Sequence, residues 1–212
     1  MKNFKKWIIL IFLICIYTFF CAYSYVQAIS NDLKDSVFRL HVIANSDSSE
    51  DQALKYKVRD NILNYMKTIS FNCSTKEEAI KTVNQHMDDF KKIAQDTIVS
   101  EGFTYDVQIE IGEFEFPSKS YGDISLPAGI YDALRIKIGN ANGHNWWCVM
   151  FPPLCFVDIT SGIVPESSKQ ELKNQLTDEE FTLISNASDS DINFKFKLLE
   201  FFTNSDLLTA KN

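Results

Sequence analysis

"VFRLHVIANSDSSEDQALKYKVRDNIL", Val37 to Leu63, changes its period halfway along, and that change sets the fold class. Val37 to Ala44 is β-branched and apolar enough for a strand, and the polar run NSDSSED stops it. Beyond it Leu54, Val58, Ile62, Tyr65 and Ile69 recur three and four apart, the spacing of an amphipathic helix. Ser48 supplies an N-cap with Asp51 three positions on, where Glu or Gln is the usual partner. This helix is expected to end near "SFNCST". Ser74 with Glu77, and Thr75 with Glu78, then open a second helix through Ile80, Val83, Met87, Phe90 and Ala94 that stops at Gly102.

Downstream the period changes to two. "FTYDVQIEIG" from Phe103 and "GIYDALRIKIG" from Gly129 read as strands with one buried face, and "EFPSKSYGDISLPAG" between them as a turn-rich connection. "GNANG" closes the next turn, and "NWWCVMF" from Asn145 is a further strand, which "FVDIT" after Cys155 is expected to continue. Thr177 with Glu180, and more weakly Ser168 with Glu171, suggest a capped helix, and "INFKFKLLEFF" from Ile192 starts as a strand. The expected class is α+β: an αα-hairpin packed on one face of a mainly antiparallel sheet.

Ahead of this domain, Lys2, Lys5 and Lys6 precede an apolar run from Ile8 to Ala22, with Val26 and Ala28 spaced like a signal-peptidase site. Residues 1–28 therefore read as a signal peptide or a membrane anchor, and residues 29–212 as one exported domain. The exported part carries 18 basic and 28 acidic residues, a net charge of -10. That balance argues against nucleic-acid binding, and confines membrane contact to the N-terminal segment.

Cys148 and Cys155 frame "NWWCVMFPPLC" with a C-x6-C gap. Export makes a disulfide between them reasonable, worth about 2.5 kcal/mol in the chain-entropy model, with buried free thiols as the alternative. A thiol-hydrolase reading pairs Cys148 with His144 or His41 as base and Asn45 as orienter, but Trp147 and Val149 tend to bury the thiol. A zinc site from His41, His144, Cys148 and Cys155 has suitable ligand types and too long a cysteine gap. Asp47, Glu50 and Asp51 lack the glycine of a calcium loop and suit a helix N-terminus. His86 is expected to be exposed. No catalytic motif, metal site, cofactor or small-molecule substrate is indicated.

Three strings carry a resemblance: Phe38 to Leu63, "FPSKSYGDISLPAGIYDALRIKIG" from Phe116 to Gly139, and "NWWCVMFPPLCFVD" from Asn145 to Asp158. They resemble the stage II sporulation protein R family of endospore-forming bacteria. The resemblance implies a protein exported from the forespore into the intermembrane space, soluble or tethered. There it would activate a membrane-embedded aspartic protease, which in turn processes the sporulation sigma factor E precursor. It implies a ligand and not an enzyme; an exported thiol-dependent or peptidoglycan-active hydrolase is the competing reading. Residues Ser161 to Ser190 match no string of the family.

Two surfaces are expected to meet the partner: the loop region of Arg39, His41, Asn45 and Asp47, and the segment of Trp146, Trp147, Phe151, Pro152 and Pro153. Alternation along the strand should bury one tryptophan and leave the other half exposed. The loop inside the C-x6-C frame is either offered to the partner or tucked into the core, and burial of Phe151 and Leu154 would decide for the core.

Overall fold

Strand β1 (Phe38–Ile43) is buried along its whole length, and everything else is arranged around it. The computed structural model describes residues 2–69, 73–154, 164 and 166–185. In it β1 lies inside a four-stranded sheet with β2 (Val107–Phe116), β5 (Gly129–Ile138) and β6 (Asn145–Phe151), in the order β2-β5-β1-β6. β1 runs parallel to β5, and the β1/β6 and β2/β5 pairs are antiparallel. The fold is thus α+β with a mainly antiparallel sheet.

Successive side chains of β1 point to opposite faces. Phe38, Leu40 and Val42 join a core with Leu54, Val58 and Ile62 of α2 (Ser49–Ile69), Val83 of α3 (Lys76–Gln85) and Phe90, Ala94 and Ile98 of α4 (Met87–Ser100). Val37, just before the strand, joins a second core on the other face. This core is closed by Ile124 and Leu126 of a small hairpin, β3 (Lys119–Tyr121) and β4 (Ile124–Leu126). Leu172 of α5 (Glu166–Gln175) and Ile184 of α6 (Asp178–Ser185) complete it. Both faces are covered, not one as the αα-hairpin reading expected. The covering elements of the second face are too short to declare a period. The turn-rich segment after Phe116 is this β3–β4 hairpin, turning at Gly122 with φ +60°.

The second helix is two. Its apolar spacing runs unbroken from Val83 to Phe90, but His86 leaves helical geometry at φ -106° and ψ 19°. Its imidazole is 37% exposed, and Nδ1 lies 2.9 Å from the Tyr65 hydroxyl and 2.9 Å from Asp89 Oδ2. β2 starts at Val107 and not Phe103, because the Gln95 side chain takes the lead-in's backbone, donating to Tyr105 O at 2.9 Å and accepting from Val107 N at 3.3 Å. Thr177 and Glu180 form the expected reciprocal box. Ser168 does not cap: it lies inside α5 and its hydroxyl donates to Pro153 O at 3.0 Å. The expected continuation at "FVDIT" and the strand at "INFKFKLLEFF" lie outside the described residues.

Helix α1 (Lys2–Ser36) includes Phe4–Cys21, apolar enough to cross a membrane and equally suited to a signal sequence near the N-terminus. Its last turn belongs to the domain. Leu33 is fully buried, and Lys76, itself nearly buried, donates from Nζ to Lys34 O at 2.8 Å while pairing with Asp132 at 2.6 Å. A cation on a terminal carbonyl satisfies an orphan acceptor and offsets the helix dipole. Leu33→Ala should therefore lower the unfolding free energy by about 2–4 kcal/mol in chemical denaturation. A change under about 0.5 kcal/mol would mean that the last turn is not docked.

Candidate functional site

The two tryptophans of β6 point to opposite faces of the sheet, and both are half buried. Trp146 faces α2. Its ring meets Tyr56 edge-on at 5.6 Å, and the Arg59 guanidinium lies 4.2 Å above it. Lys55 and Arg59 both sit over the Tyr56 ring, at 4.8 and 4.9 Å. These cations are largely withdrawn from water, where such contacts gain strength. Burial, with Arg59 nearby, holds the Lys55 ammonium below its ordinary pKa. Trp146 Nε1 is buried without a hydrogen-bond partner among the described residues.

Trp147 faces the other core. It stacks on His41 at 3.7 Å and meets Phe116 at 4.7 Å. His41 Nε2 is 2.8 Å from Asn145 Oδ1. One residue pair along β1, Arg39 is fully buried between the rings of Phe116 (4.1 Å) and Tyr131 (4.7 Å). It donates to the Tyr121 hydroxyl at 2.7 Å and to Cys148 O at 3.5 Å, and Tyr121 in turn donates to Trp147 O at 3.3 Å. Burial pushes the Tyr121 phenol up, so it stays a donor despite the guanidinium beside it.

Between these groups runs a cavity of about 490 Å³ along β6, walled by Tyr56, Arg59 and Asp60 of α2 on one side and Lys119 to Gly122 of the hairpin on the other. Both tryptophans line it. Arg39 and His41 lie behind its wall and hold it in place through Tyr121 and Asn145.

The expected contact residues are distributed unevenly over this site. Arg39, His41, Phe151 and Pro152 are buried and present no surface to a partner; they serve the core because β1 is covered on both faces. With Leu154 also fully buried, the loop after β6 is a clamp of the core and is not offered outward. Pro153 is half buried, and its carbonyl takes the Ser168 hydroxyl. Alternation does not bury one tryptophan alone, since each face of β6 covers its own.

Asn45 and Asp47 spend their polar atoms on local structure. Asn45 accepts from Asn140 N at 3.0 Å and donates to Asp51 at 2.8 Å, while Asp47 takes His144 N at 2.6 Å and pairs with its ring. This junction is tight: a Cβ at Gly139, where φ is +56°, would lie 2.3 Å from Asn45 Oδ1. Asp51 N takes the Ser48 cap at 3.2 Å. Burial pushes the Asp51 carboxyl up, but bonds from Ser46 and Asn45 outweigh it and hold the pKa below the usual range.

Cys148 is buried and bonded in a disulfide, so it has no thiol to act as a nucleophile; Cys155, its expected partner, lies outside the described residues. Among the described residues no group of three or more His, Cys, Asp or Glu is placed to hold a metal. Tyr56, Arg59 and Lys119 were not singled out by the sequence. A large aromatic on the polar side of α2, 40% exposed, is the signal that marks Tyr56.

A family model described as stage II sporulation protein R matches residues 34–161, which contain the whole groove. Stage II sporulation protein R of Bacillus subtilis (strain 168) is 37% identical over 148 residues, 69% of this chain and 66% of the relative. The chain thus spans just under two thirds of that relative's length. No solved structure matches.

The buried face makes one prediction about pH. Burial first, then Arg135, Arg39 and Lys137, lower the His41 pKa from 6.5 to about 4, against the raising effect of the Asn145 bond. The unfolded chain takes up the proton first, so this stability is complete above pH 6.5 and is lost as pH falls towards 4. The span corresponds to about 3 kcal/mol. His41→Phe should remove that part of the slope in urea unfolding between pH 7 and 4.5, and an unchanged slope would contradict it.

Proposed function

This chain belongs to the stage II sporulation protein R family, and from that premise we propose that it is the exported signal that activates a membrane-embedded aspartic protease during endospore formation. The protease then removes the pro-sequence of the sporulation sigma factor E precursor. The observation that carries this reading is the family match across the sheet, both tryptophans and the junction after β1. The apolar segment Phe4–Cys21 supports passage out of the forespore, and the acidic balance supports a messenger that stays off anionic membrane surfaces on the way. The signal lies in the space between the two membranes, tethered by α1 or released from it.

Activation needs no chemistry from this chain. A ligand shifts its receptor only by the difference between its affinities for the active and resting states, and moving a population from 1:99 to 99:1 takes about 5.5 kcal/mol. A few desolvated aromatic and charged contacts supply that much.

The test is reconstitution in a bacterial host that makes and exports the full chain together with the protease and the precursor. Precursor cleavage that depends on both this chain and the protease is expected. Cleavage independent of this chain, or none with all three produced, would contradict the proposal.

A further inference from the structure

Resting on that reading, we propose that the groove beside β6 is where the partner docks, and that it takes an extended segment of the protease bearing at least one carboxylate. The lining holds two cations, Arg59 and Lys119, against one carboxylate, Asp60. That balance is the reverse of the chain as a whole, with 21 basic and 28 acidic residues. Asp60 is already bound to Arg59 at 2.7 Å, and no ion pair of Lys119 occurs among the described residues. Behind the wall, Arg39 adds a third cation with no carboxylate among the described residues.

The groove lining also holds a donor that lacks an acceptor among the described residues. The Trp146 N–H is unpartnered among the described residues and withdrawn from water beside the Arg59 guanidinium. A buried donor without an acceptor is costly, so an acceptor arriving from a ligand gains more here than on an open surface. A carboxylate is the acceptor that also answers the charge, and its hydrogen bonds to N–H groups are about twice as strong as neutral ones. The aromatic walls, Tyr56 above all, suit apolar side chains on either side of it. A phosphate polyanion is disfavoured by the net charge of the domain, which repels it at longer range than the groove attracts it.

The same host, making full chain, protease and precursor, decides the matter with a photo-crosslinking residue, p-benzoylphenylalanine, at Tyr56 or, as control, at Val99, which is 61% exposed on α4. A crosslink to the protease from position 56 and none from 99 is expected. Lys119→Glu should lower both that crosslink and cleavage by about ten-fold or more, with Lys119→Arg near wild type. Lys119 has no ion pair to lose among the described residues, and an unchanged melting temperature of Lys119→Glu shows that the fold is intact. Arg59→Gln should act in the same direction.

Cleavage with crosslinks from 99 alone would overturn the groove and leave the activation reading standing. A crosslink from 56 without cleavage would support the groove and overturn activation; neither crosslink nor cleavage would overturn both. Reaction of position 56 with phospholipid in place of protein, or indifference to Lys119→Glu, would also overturn the proposal.

Discussion

The buried guanidinium of Arg39 is the contact on which the rest of the candidate site depends. Removing a charge from water costs several kcal/mol, and here no carboxylate among the described residues offsets it. Two desolvated cation–π contacts at about 2 kcal/mol each, with hydrogen bonds to the Tyr121 hydroxyl and Cys148 O, bring the total near break-even. An apolar side chain would fill the place at less risk. What an apolar side chain would lack is direction: Arg39 reaches from the central strand to the hairpin, and through Tyr121 to the backbone of Trp147.

That chain of bonds explains why the hairpin, only three residues per strand, sits where it does. Two short strands are marginal alone and need a surface to pack on. Ile124 and Leu126 supply the apolar attachment, and the Arg39 to Tyr121 bond sets the angle. The groove wall is therefore held from inside the sheet. Across β6 the opposite wall is part of α2, whose position follows from the larger core. Leu33 and the Lys76 to Lys34 bond hold the last turn of α1 against the sheet, so the apolar helix and the domain meet without a linker.

Much of this was legible in the sequence, and the reasons for the rest are physical. The period switch after Ala44 gave the strand-to-helix order, because each element long enough to bury a face declares its period over several turns or pleats. β1 was legible as a strand, and His41 as a core or sheet-face residue within it, but not as a strand covered on both faces, since nothing local to Arg39 shows what packs on it. Both were also expected to meet a partner, as part of the stretch that leads into the loop before α2. The break at His86 left no trace in the apolar spacing, because it lies in a polar residue whose ring bonds to Asp89 three positions on and to Tyr65 of the preceding helix. Asn45 and Asp47 were recognised as special, but the tight junction they build with the Gly139 loop accounts for them without a ligand. The groove itself joins residues from position 56 to position 154, and no local pattern announces it.

The proposed docking groove assumes that the hairpin wall is held by Arg39 and not merely carried by the core beneath it. Amide hydrogen exchange on Arg39→Met tests that assumption most directly, because it reads the hairpin and the sheet separately. The account predicts that the amides of Ser120 to Leu126 exchange at least about ten-fold faster than in the wild type, while those of β1 and β5 stay within about two-fold. Unchanged exchange in the hairpin, or uniform acceleration through β1 and β5, would show that Arg39 only fills the core.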